Sequence, residues 1–405
     1  MMRLEKASNH DTARPWVFAV HEGLHSIDPA AWDALLAISD RPTPFMRHAY
    51  LAALHDSGSA VARQGWTARF ATLHDAQGGL AAACPLYLKR HSYGEYVFDH
   101  AWAQAYARHG LNYYPKALIA VPFTPVPGSR LLARDALARE ALAHAARDWA
   151  AAQGLSSLHL LWGSPQDLAA CDAAGFMARH QVQFHWKNQG WTDFDQFLAG
   201  LTQEKRKKIR QERRRVHEAG VRFRVSEGCG ITDADWDLFY RCYSQTYWEH
   251  GNPPYLTRAF FQAMQENMPR DWVLFVAERE GAPIATSLIA FRGDVQATGS
   301  QNDAEKVAYG RYWGALERVD CLHFEACYYQ PLQWCIAQGV ARFEGGAQGE
   351  HKMARALLPE RCESRHWLAH PRFAEAVDDF LGRERRGVAG YLDDLAARSP
   401  LKSGE

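Results

Sequence analysis

Residues 310–352 read GRYWGALERVDCLHFEACYYQPLQWCIAQGVARFEGGAQGEHK, and they combine strand-like runs with one helical run. Residues 321–326 and 341–344 have the composition of short strands, whereas residues 328–337 have a helical pattern that Gly339 ends. Ionisable and aromatic side chains stand beside glycines throughout this stretch, which is typical of a site on short strands rather than of a solvated helix face. The stretch therefore predicts a strand–helix–strand unit that carries a functional site.

The residues that precede this stretch predict two helices followed by a hairpin. Thr232 and Thr257 have the character of N-cap residues, each followed by a helical pattern rich in aromatic residues. Residues 272–277 and 284–291 alternate as strands and are joined by a short turn. The second half of the chain is thus predicted to run helix, helix, hairpin, strand, helix, strand.

The first half predicts the same order of elements about 200 residues earlier. Asp28 followed by Pro29 is a strong helix start. Residues 67–73 and 80–89 form a predicted hairpin, and residues 117–124 form a strand that leads into a long helix. The repeated order indicates an internal duplication.

Length and composition bound the class of protein. A chain of 405 residues exceeds what one hydrophobic core usually supports, so we predict domains at residues 1–190 and 191–372, followed by a helical tail at 373–405. Lys and Arg together number 46, as do Asp and Glu, so no global charge draws the chain to nucleic acid or to a membrane. The eight cysteines include no C-x-x-C pair, and no window is apolar enough to span a membrane. A cytoplasmic protein is expected.

Two helices, an antiparallel hairpin and then strand–helix–strand–helix–strand is the order of elements in the acetyltransferase (GNAT) fold. This resemblance implies an α/β protein with two tandem GNAT-like acyl-CoA N-acyltransferase domains, each a mixed central sheet flanked by helices. Residues 123–132, FTPVPGSRLL, occupy the position where that fold turns into the helix whose N-terminus binds a pyrophosphate. Gly128, Ser129 and Arg130 are therefore candidate residues for binding acyl-CoA. The alternative is a proline-rich turn without a ligand.

Five sequence strings carry a closer resemblance that covers nearly the whole chain. They are FTPVPGSR at 123–130, PYLT at 254–257, GRYWG at 310–314, LHFEACYYQ at 322–330 and GAQGEHK at 346–352. The chain resembles a bacterial family of predicted N-acyltransferases of the peptidoglycan biosynthesis or recognition type, related to the Fem-type aminoacyltransferases. The resemblance implies transfer of an acyl or aminoacyl group from an activated carrier to an amine on a small molecule or peptide. Acyl-CoA is one expected donor, and aminoacyl-tRNA is the alternative.

Direct acyl transfer requires a base for the attacking amine, donors for the oxyanion and a proton for the leaving group. His323 and Glu325 alternate on the predicted strand and would project from one face, so either is a candidate base. The alternative is a structural hydrogen bond between them. Glu344 is a candidate second base or anchor for the acceptor amine. Glu350 and His351 are candidates for binding substrate, and His351 is an alternative base.

Further side chains in the same stretch are candidates for binding substrate. Lys352 and Arg355 could hold a phosphate or a carboxylate, and Tyr312 and Tyr328 offer phenols that could protonate a leaving group. The alternatives are solvated charges and tyrosines that only pack. The sequence has no helical H-E-x-x-H motif, so no metal is expected. The candidate substrate-binding residues are Arg311, Tyr312, Tyr328, Gln348, Lys352 and Arg355.

The strongly basic run Lys205–Arg215 supports three interpretations. It is either a solvated helix or the contact surface for a phosphate-rich donor or acceptor, such as a charged tRNA or a nucleotide-linked precursor. Nonspecific binding of nucleic acid is the third, although the run has no aromatic residues on which bases could stack. For the whole chain, the alternative to an acyltransferase is a non-catalytic GNAT-like module that recognises a peptidoglycan precursor or a similar ligand.

Overall fold

A computed structural model describes residues 2–3, 16–293, 305–347 and 349–402. The chain forms two compact units, and each combines two separate stretches of sequence. Unit 1 consists of Met1–Gln181 with Cys362–Ala389, and unit 2 consists of Val182–Arg361 with Gly390–Glu405. The domains predicted from the sequence follow chain order, whereas each compact unit also takes a segment from the far part of the chain.

The described residues contain fourteen strands, which form mixed sheets. The strands are β1 (Met2–Arg3), β2 (Val17–His21), β3 (Trp66–His74), β4 (Leu80–Lys89), β5 (Lys116–Ile119), β6 (Leu132–Ala133), β7 (Ser157–Leu161), β8 (Met177–Lys187), β9 (Val221–Glu227), β10 (Trp272–Arg279), β11 (Ala282–Arg292), β12 (Val307–Ala315), β13 (Arg342–Ala347) and β14 (Leu358–Leu368).

Twelve α-helices lie in the same residues, and a π-helical turn, Glu325–Tyr329, joins the tenth to the eleventh. The helices are α1 (Pro29–Ala37), α2 (His48–Asp56), α3 (His100–Arg108), α4 (Ala136–Ala152), α5 (Pro165–Ala173), α6 (Phe194–Ala199), α7 (Gln203–Glu218), α8 (Asp233–Glu249), α9 (Arg258–Asn267), α10 (Leu322–Phe324), α11 (Gln330–Ala337) and α12 (Pro371–Ala396).

The sheet of unit 1 has the strand order β1-β2-β3-β4-β5-β7-β14, with β6 added beside β4. The pairing of β5 with β7 is parallel, and its other described pairings are antiparallel. The sheet of unit 2 has the order β8-β13-β12-β11-β10-β9, in which β12 and β13 form the parallel pair. Each unit therefore has one parallel pair inside a mostly antiparallel sheet, which is what the predicted fold requires.

Local sequence signals explain where several helices begin. The Asp28 carboxylate accepts hydrogen bonds from the backbone N–H groups of Ala30 and Ala31 at the start of α1, at 3.1 and 3.3 Å. Thr232 and Asp235 form a capping box at the start of α8. These contacts satisfy N–H groups that the first turn of a helix leaves without intrahelical partners. The predicted starts at Asp28 and Thr232 are confirmed.

Packing of α8 on the sheet of unit 2 depends on a glycine of the GRYWG string. A Cβ atom on Gly314 of β12 would lie 1.8 Å from the carbonyl oxygen of Cys242 in α8. Phe239 and Tyr243 of α8 pack against Tyr312, also on β12, with ring centroids 6.2 and 5.5 Å apart. Gly314 is therefore a packing residue that allows helix and strand to approach closely.

The structure confirms both predicted hairpins and corrects two predicted strands. β3 with β4, and β10 with β11, are the two hairpins. The predicted strand at residues 117–124 ends already at Ile119, and α4 begins only at Ala136. The predicted strand at residues 321–326 is helical. Across the part of the chain that the structure describes, no helix combines the length and the apolar composition that crossing a membrane requires.

Candidate active site

The candidate site lies where two parallel strands of unit 2 separate. β12 and β13 are paired over three residues, of which Tyr309 and Glu344 are the last, although both strands continue beyond this point. A β-bulge in the pairing of β12 with β11 leaves Arg311 as an extra residue. Bulges are common beside active sites because they redirect side chains.

Residues 321–329 border this opening as a helix, so the predicted strand is wrong. Short aromatic and apolar runs fit a buried strand or a helix equally well, which explains the error. In an α-helix successive residues are about 100° apart, so His323 and Glu325 point in roughly opposite directions instead of sharing a face. The π-helical turn that begins at Glu325 is a feature found frequently at functional sites.

His323 is part of an aromatic and basic cluster. Its ring centroid lies 5.4 Å from that of Trp313 on β12 and 5.8 Å from that of Tyr328. Although part of the residue faces solvent, these neighbours crowd the ring. Loss of hydration, followed by repulsion from nearby basic groups including His351 and Lys352, lowers the pKa of His323 to about 4. The imidazole is therefore neutral at pH 7.

Tyr328 and His351 form a second contact in the same cluster. The Tyr328 hydroxyl lies 3.3 Å from Nε2 of His351, within hydrogen-bond distance. Burial raises the pKa of Tyr328 well above its ordinary value, and burial together with nearby cations lowers the pKa of His351. At pH 7 the phenol therefore keeps its proton and the imidazole is neutral.

Lys352 connects this cluster to the end of β13. Its Nζ donates to the carbonyl oxygen of Gly346 at 3.0 Å, and the residue is buried. Burial lowers the pKa of Lys352 to about 8, although the nearby Cys327 thiol opposes the shift. The structure thus brings together four of the predicted site residues, His323, Tyr328, His351 and Lys352, between β12 and the end of β13.

Glu325 is separate from this cluster and is held by an arginine of α7. Nε of Arg213 donates to both carboxylate oxygens of Glu325, at 3.1 and 3.2 Å, and Nη2 lies 3.0 Å from one of them. Nε2 of Gln330 donates to the same carboxylate at 2.7 Å. A carboxylate held by this many donors has little capacity left to accept a substrate proton. The geometry favours Glu325 as an anchor of the π-helical turn.

Arg355 is buried in an ion pair. Its Nη2 donates to Glu212 at 2.8 Å, its Nη1 donates to the carbonyl oxygen of His351 at 2.9 Å, and the guanidinium lies 3.5 Å from the ring centroid of Phe324. The Tyr329 hydroxyl also donates to Glu212. With 2% of its surface exposed, Arg355 acts here as a support for the segment that carries His351.

Glu344 lies inside the sheet. Its Oε1 accepts a hydrogen bond from Nε of Arg342 at 3.0 Å, and Nε2 of His185 lies 3.9 Å from its Oε2. Only 1% of Glu344 is exposed. A substrate amine would therefore have to replace contacts that the protein already makes.

The remaining predicted residues of unit 2 lie at the edges of the site. Glu350 is exposed and pairs with Arg398 at 2.6 Å. The guanidinium of Arg311 lies 5.0 Å from the ring centroid of Tyr312, which is itself buried against α8. Gln348 lies outside the described residues.

The predicted cofactor turn of unit 1 has its backbone donors occupied. The Gly128 N–H donates to the carbonyl oxygen of Trp162, and the Ser129 N–H donates to that of Arg41, both at 2.9 Å. The Arg130 N–H donates to the Asp167 carboxylate at 2.5 Å. The Asp167 carboxylate thus accepts from a backbone donor that an anionic ligand at this turn would need. A cavity of about 450 Å³ opens instead at the start of α4, where Arg134 and Arg139 belong to its lining.

A buried charged network in unit 1 was not predicted from the sequence. Nζ of Lys116 donates to Glu95 at 2.7 Å and to Ser92 at 2.8 Å, and it also contacts Asp99. Lys116 has no exposed surface, and both acids are at least 96% buried. The charged members lie up to 21 positions apart and follow no motif, so only their burial in the fold identifies them.

Histidines extend the same network. The Tyr113 hydroxyl donates to Asp99 at 2.7 Å and lies 3.0 Å from Nε2 of His159. Nδ1 of His159 lies 2.9 Å from Nδ1 of His366, which is also buried. Burial is the main cause that lowers the pKa of His159, to about 3, and it lowers the pKa of His366 well below its ordinary value. Both imidazoles are neutral in the folded protein near pH 7.

The basic run forms most of α7, and it lies in unit 2 with the site. Ile209, Glu212 and Val216 face inward, whereas most of its cations are exposed. Among the described residues, no group of three or more His, Cys, Asp or Glu side chains could hold a metal ion.

The chain matches a known protein family over most of its length. A family model described as FemAB-like, for peptidoglycan biosynthesis or recognition, matches residues 23–403. The chain belongs to the FemAB-like family. The family resemblance inferred from the five sequence strings is confirmed. No curated protein matches the sequence significantly.

Solved structures with the same fold come from several proteins. The C-terminal domain of a putative lysylphosphatidylglycerol synthetase from Agrobacterium fabrum is 12% identical, with 87% of this chain and 95% of that chain covered and a TM-score of 0.52. L-PGS from Bacillus licheniformis is also 12% identical, with 88% and 97% covered and a TM-score of 0.51. A tandem GNAT protein from the clavulanic acid biosynthesis pathway is 14% identical, with 88% and 99% covered and a TM-score of 0.43. At 12% identity the first two similarities concern the fold alone, and the predicted tandem GNAT-like α/β fold is confirmed.

Proposed function

We propose that the protein transfers an acyl or aminoacyl group from an activated carrier to an amine, at the cluster of His323, Tyr328 and His351 in unit 2. The gathering of these three side chains where β12 and β13 separate carries the proposal. Two neutral imidazoles and a protonated phenol supply the acid and base groups that direct acyl transfer requires. Membership of the FemAB-like family supports an acyltransferase in peptidoglycan-related function.

In the proposed reaction, the neutral amine attacks the acyl carbonyl and His323 accepts the amine proton. A new C–N bond forms, and the carbonyl π electrons move to oxygen. The buried ammonium of Lys352 supplies positive charge for this oxyanion. When the intermediate collapses, the bond from carbon to the leaving group breaks, and Tyr328 protonates the leaving atom. The phenolate regains its proton from solvent through His351, which gives up a proton from Nε2 at the contact with Tyr328 and takes up another from water on Nδ1. His323 releases the amine proton to solvent, so both groups return to their starting states.

Glu325 has a positioning role in this proposal because Arg213 and Gln330 occupy its carboxylate. This changes the order of candidates, since Glu325 and His323 are equivalent when only the sequence is considered. Glu344 and Glu350, the predicted anchors for the amine, each have an arginine partner. The proposed base is therefore His323.

The donor and the acceptor follow from the family and from α7. We propose an amine of a peptidoglycan precursor as acceptor, and acyl-CoA or aminoacyl-tRNA as donor. The occupied amides at Gly128 and Ser129 argue against a coenzyme A pyrophosphate at that turn. The basic residues of α7 are the proposed contact for a phosphate-rich carrier, either a charged tRNA or a nucleotide-linked precursor.

The test measures transfer with the full chain and a panel of donors. Free thiol release from acyl-CoAs, and deacylation of aminoacyl-tRNAs, are each followed in the presence of amine acceptors. We expect His323→Gln to lower kcat by about 10²–10⁴-fold, because it removes a general base. Glu325→Gln should act mainly through stability, and His250→Gln, which changes an exposed histidine at the end of α8, is the matched control.

A binding module is the second candidate, because protein partners already hold the side chains of Glu325, Glu344 and Arg355. A module would bind a cell-wall precursor without turnover of any donor. If His323→Gln leaves transfer unchanged, the proposed base is wrong. If wild-type protein binds precursor and transfers nothing, the module is the better description.

A further inference from the structure

A second opening in unit 2 lies between α6, α7 and β9, away from the histidine cluster. It is a cavity of about 470 Å³, within the size range of sites for small ligands. Among the predicted site residues, only Glu325 belongs to its lining. Arginines outnumber acids on its surface, which favours an anionic ligand. The charged lining residues used below are Arg210, Arg213, Arg214, Arg222, Asp195 and Glu325.

Two of these arginines are available for a ligand. Arg210 and Arg214 are exposed and lie four residues apart, so they project from one face of α7 about 6 Å apart along its axis. Within the described part of the chain, no carboxylate lies within ion-pair distance of either guanidinium. By contrast, Arg215 on the other side of α7 pairs with Asp320 at 3.0 Å.

Arg213 is shared between the cavity and the turn that leads to Tyr328. Its guanidinium binds Glu325, as described above, and also donates to Gln333 at 2.9 Å. It lies 4.6 Å from the ring centroid of Phe194, which lines the cavity as well. An anion in the cavity would therefore meet a guanidinium that already has a carboxylate partner.

We propose that this cavity binds the diphosphate group of an anionic carrier, and that the bound diphosphate competes with Glu325 for Arg213. Diphosphate suits the site because paired arginines can bind its oxygens in a bidentate manner. The inference rests on the proposed function in taking this carrier as the donor or acceptor of the transfer reaction. Occupation of the cavity loosens the anchor of the π-helical turn, which makes Arg213 a positioning residue that links carrier binding to the candidate active site.

If diphosphate competes with Glu325 for Arg213, one substitution in the cavity lining should strengthen diphosphate binding instead of weakening it. Removing the negative charge of Glu325 frees Arg213, so Glu325→Gln should tighten diphosphate binding. Removing a negative charge near the cavity would also tighten diphosphate binding through the electrostatic field alone. A double-mutant cycle separates this effect from the loss of competition for Arg213. In an Arg213→Gln background the effect of Glu325→Gln should vanish, whereas Asp195→Asn, a change in another acid of the lining, should act similarly in both backgrounds.

The experiment is titration calorimetry of the full chain with inorganic pyrophosphate at fixed ionic strength, with thermal melts to verify folding. We expect the double variant Arg210→Gln/Arg214→Gln to lose at least about tenfold in affinity, and Glu325→Gln to gain about three- to tenfold. Lys208→Gln is the matched control, since Lys208 is exposed on the opposite side of α7 and outside the cavity lining. Arg213→Lys replaces Arg213→Gln if the latter fails to fold.

This experiment measures only pyrophosphate binding and no acyl transfer, so its result is independent of whether the proposed function is correct. The proposed competition is wrong if Glu325→Gln raises pyrophosphate affinity equally with and without Arg213. It is also wrong if Glu325→Gln leaves pyrophosphate affinity unchanged. Binding of an RNA oligomer without binding of pyrophosphate would overturn the cavity site in favour of the outer surface of α7. If the double-mutant cycle of pyrophosphate binding gives the expected result but no assay detects acyl transfer, the proposed function is rejected and the proposed diphosphate site is retained.

Discussion

Units 1 and 2 place buried polar pairs at matching positions in their sheets. In unit 1, β14 pairs with β7 so that His366 is opposite His159. In unit 2, β8 pairs with β13 so that His185 is opposite Glu344. In both units the pair links the second strand of the parallel pair, β7 or β13, to the antiparallel strand beside it, and all four residues are buried. The two units therefore share a framework, down to the register of a polar pair.

Beyond this framework the units diverge. In unit 1, β5 ends at Ile119, and the buried residues 120–131 return so that the Gly128 N–H meets the carbonyl oxygen of Trp162, just after β7. In unit 2, β12 and β13 continue past their last pair and are bordered by His323 and Tyr328. At the end of the parallel strand pair, unit 1 therefore has its own buried chain, whereas unit 2 has ionisable side chains. This difference is the reason why we propose the chemistry for unit 2 and a structural role for the network of unit 1.

The largest effect is expected from removing the charge at the centre of the unit 1 network. Lys116→Met leaves Glu95 and Asp99 buried without their cation, which should cost about 3–5 kcal/mol of unfolding free energy. Urea unfolding measures the loss, and hydrogen exchange should localise it to unit 1. The exposed Lys208→Met is the control.

Adding Glu95→Gln and Asp99→Asn to Lys116→Met should restore part of that stability, since the uncompensated charges are then gone. A loss below about 1 kcal/mol for Lys116→Met alone would show that the network does not depend on this lysine, and the structural assignment of unit 1 would be wrong.

A second prediction concerns the helix–strand contact of unit 2. Gly314→Ala places a methyl group against the Cys242 carbonyl oxygen, so α8 must move away from β12 at a cost of about 1–3 kcal/mol. Gly387→Ala in α12 is the matched control with the opposite sign, because a Cβ there meets no atom within 4 Å and alanine favours a helix. Urea unfolding of both variants checks the prediction. Equal effects would contradict the close approach.

Local signals made much of the fold predictable, and long-range contacts explain what was missed. Asp28 and Thr232 cap helices through groups within three residues, and the hairpin at β3 and β4 follows from its alternation. The candidate site depends on partners far apart in sequence. Arg213 and Glu325 are 112 positions apart, and no local pattern reveals that the arginine occupies the carboxylate.

The predicted pairing of His323 with Glu325 failed for a related reason. Their alternation predicts a strand, whereas the segment is helical in the folded chain, which separates the two side chains. Most of the side chains that surround the candidate site come from the stretch that the sequence singles out, residues 310–352. Which of them act together depends on the fold, as the contact between Tyr328 and His351 shows.

The smallest expected effect is a pH dependence that comes from the histidines of unit 1. The folded-state pKa values of His159 and His366 are lowered, so the unfolded chain binds more protons below about pH 6.5, and stability falls as the pH falls. Glu95 and Asp167 oppose this, since burial raises the pKa of each to about 6 and the folded state gains a proton at each. Between pH 6.5 and pH 4.5 these two acids act against His159, His366 and five other histidines of the chain whose pKa is also lowered, so the net change is a loss.

Each of these histidines should cost about 1.4 kcal/mol at pH 5.5 relative to neutral pH. His159→Gln removes one of them and keeps a side chain that can hydrogen-bond to Tyr113, so the loss of stability on acidification should be smaller by about that amount. Urea midpoints at pH 7.5 and pH 5.5 measure it, with His144→Gln, at a partly exposed histidine of α4, as control. An unchanged slope in His159→Gln would mean that His159 is already protonated in the folded state. Unit 1 would then hold a titrating cluster, and the contrast with unit 2 would be lost.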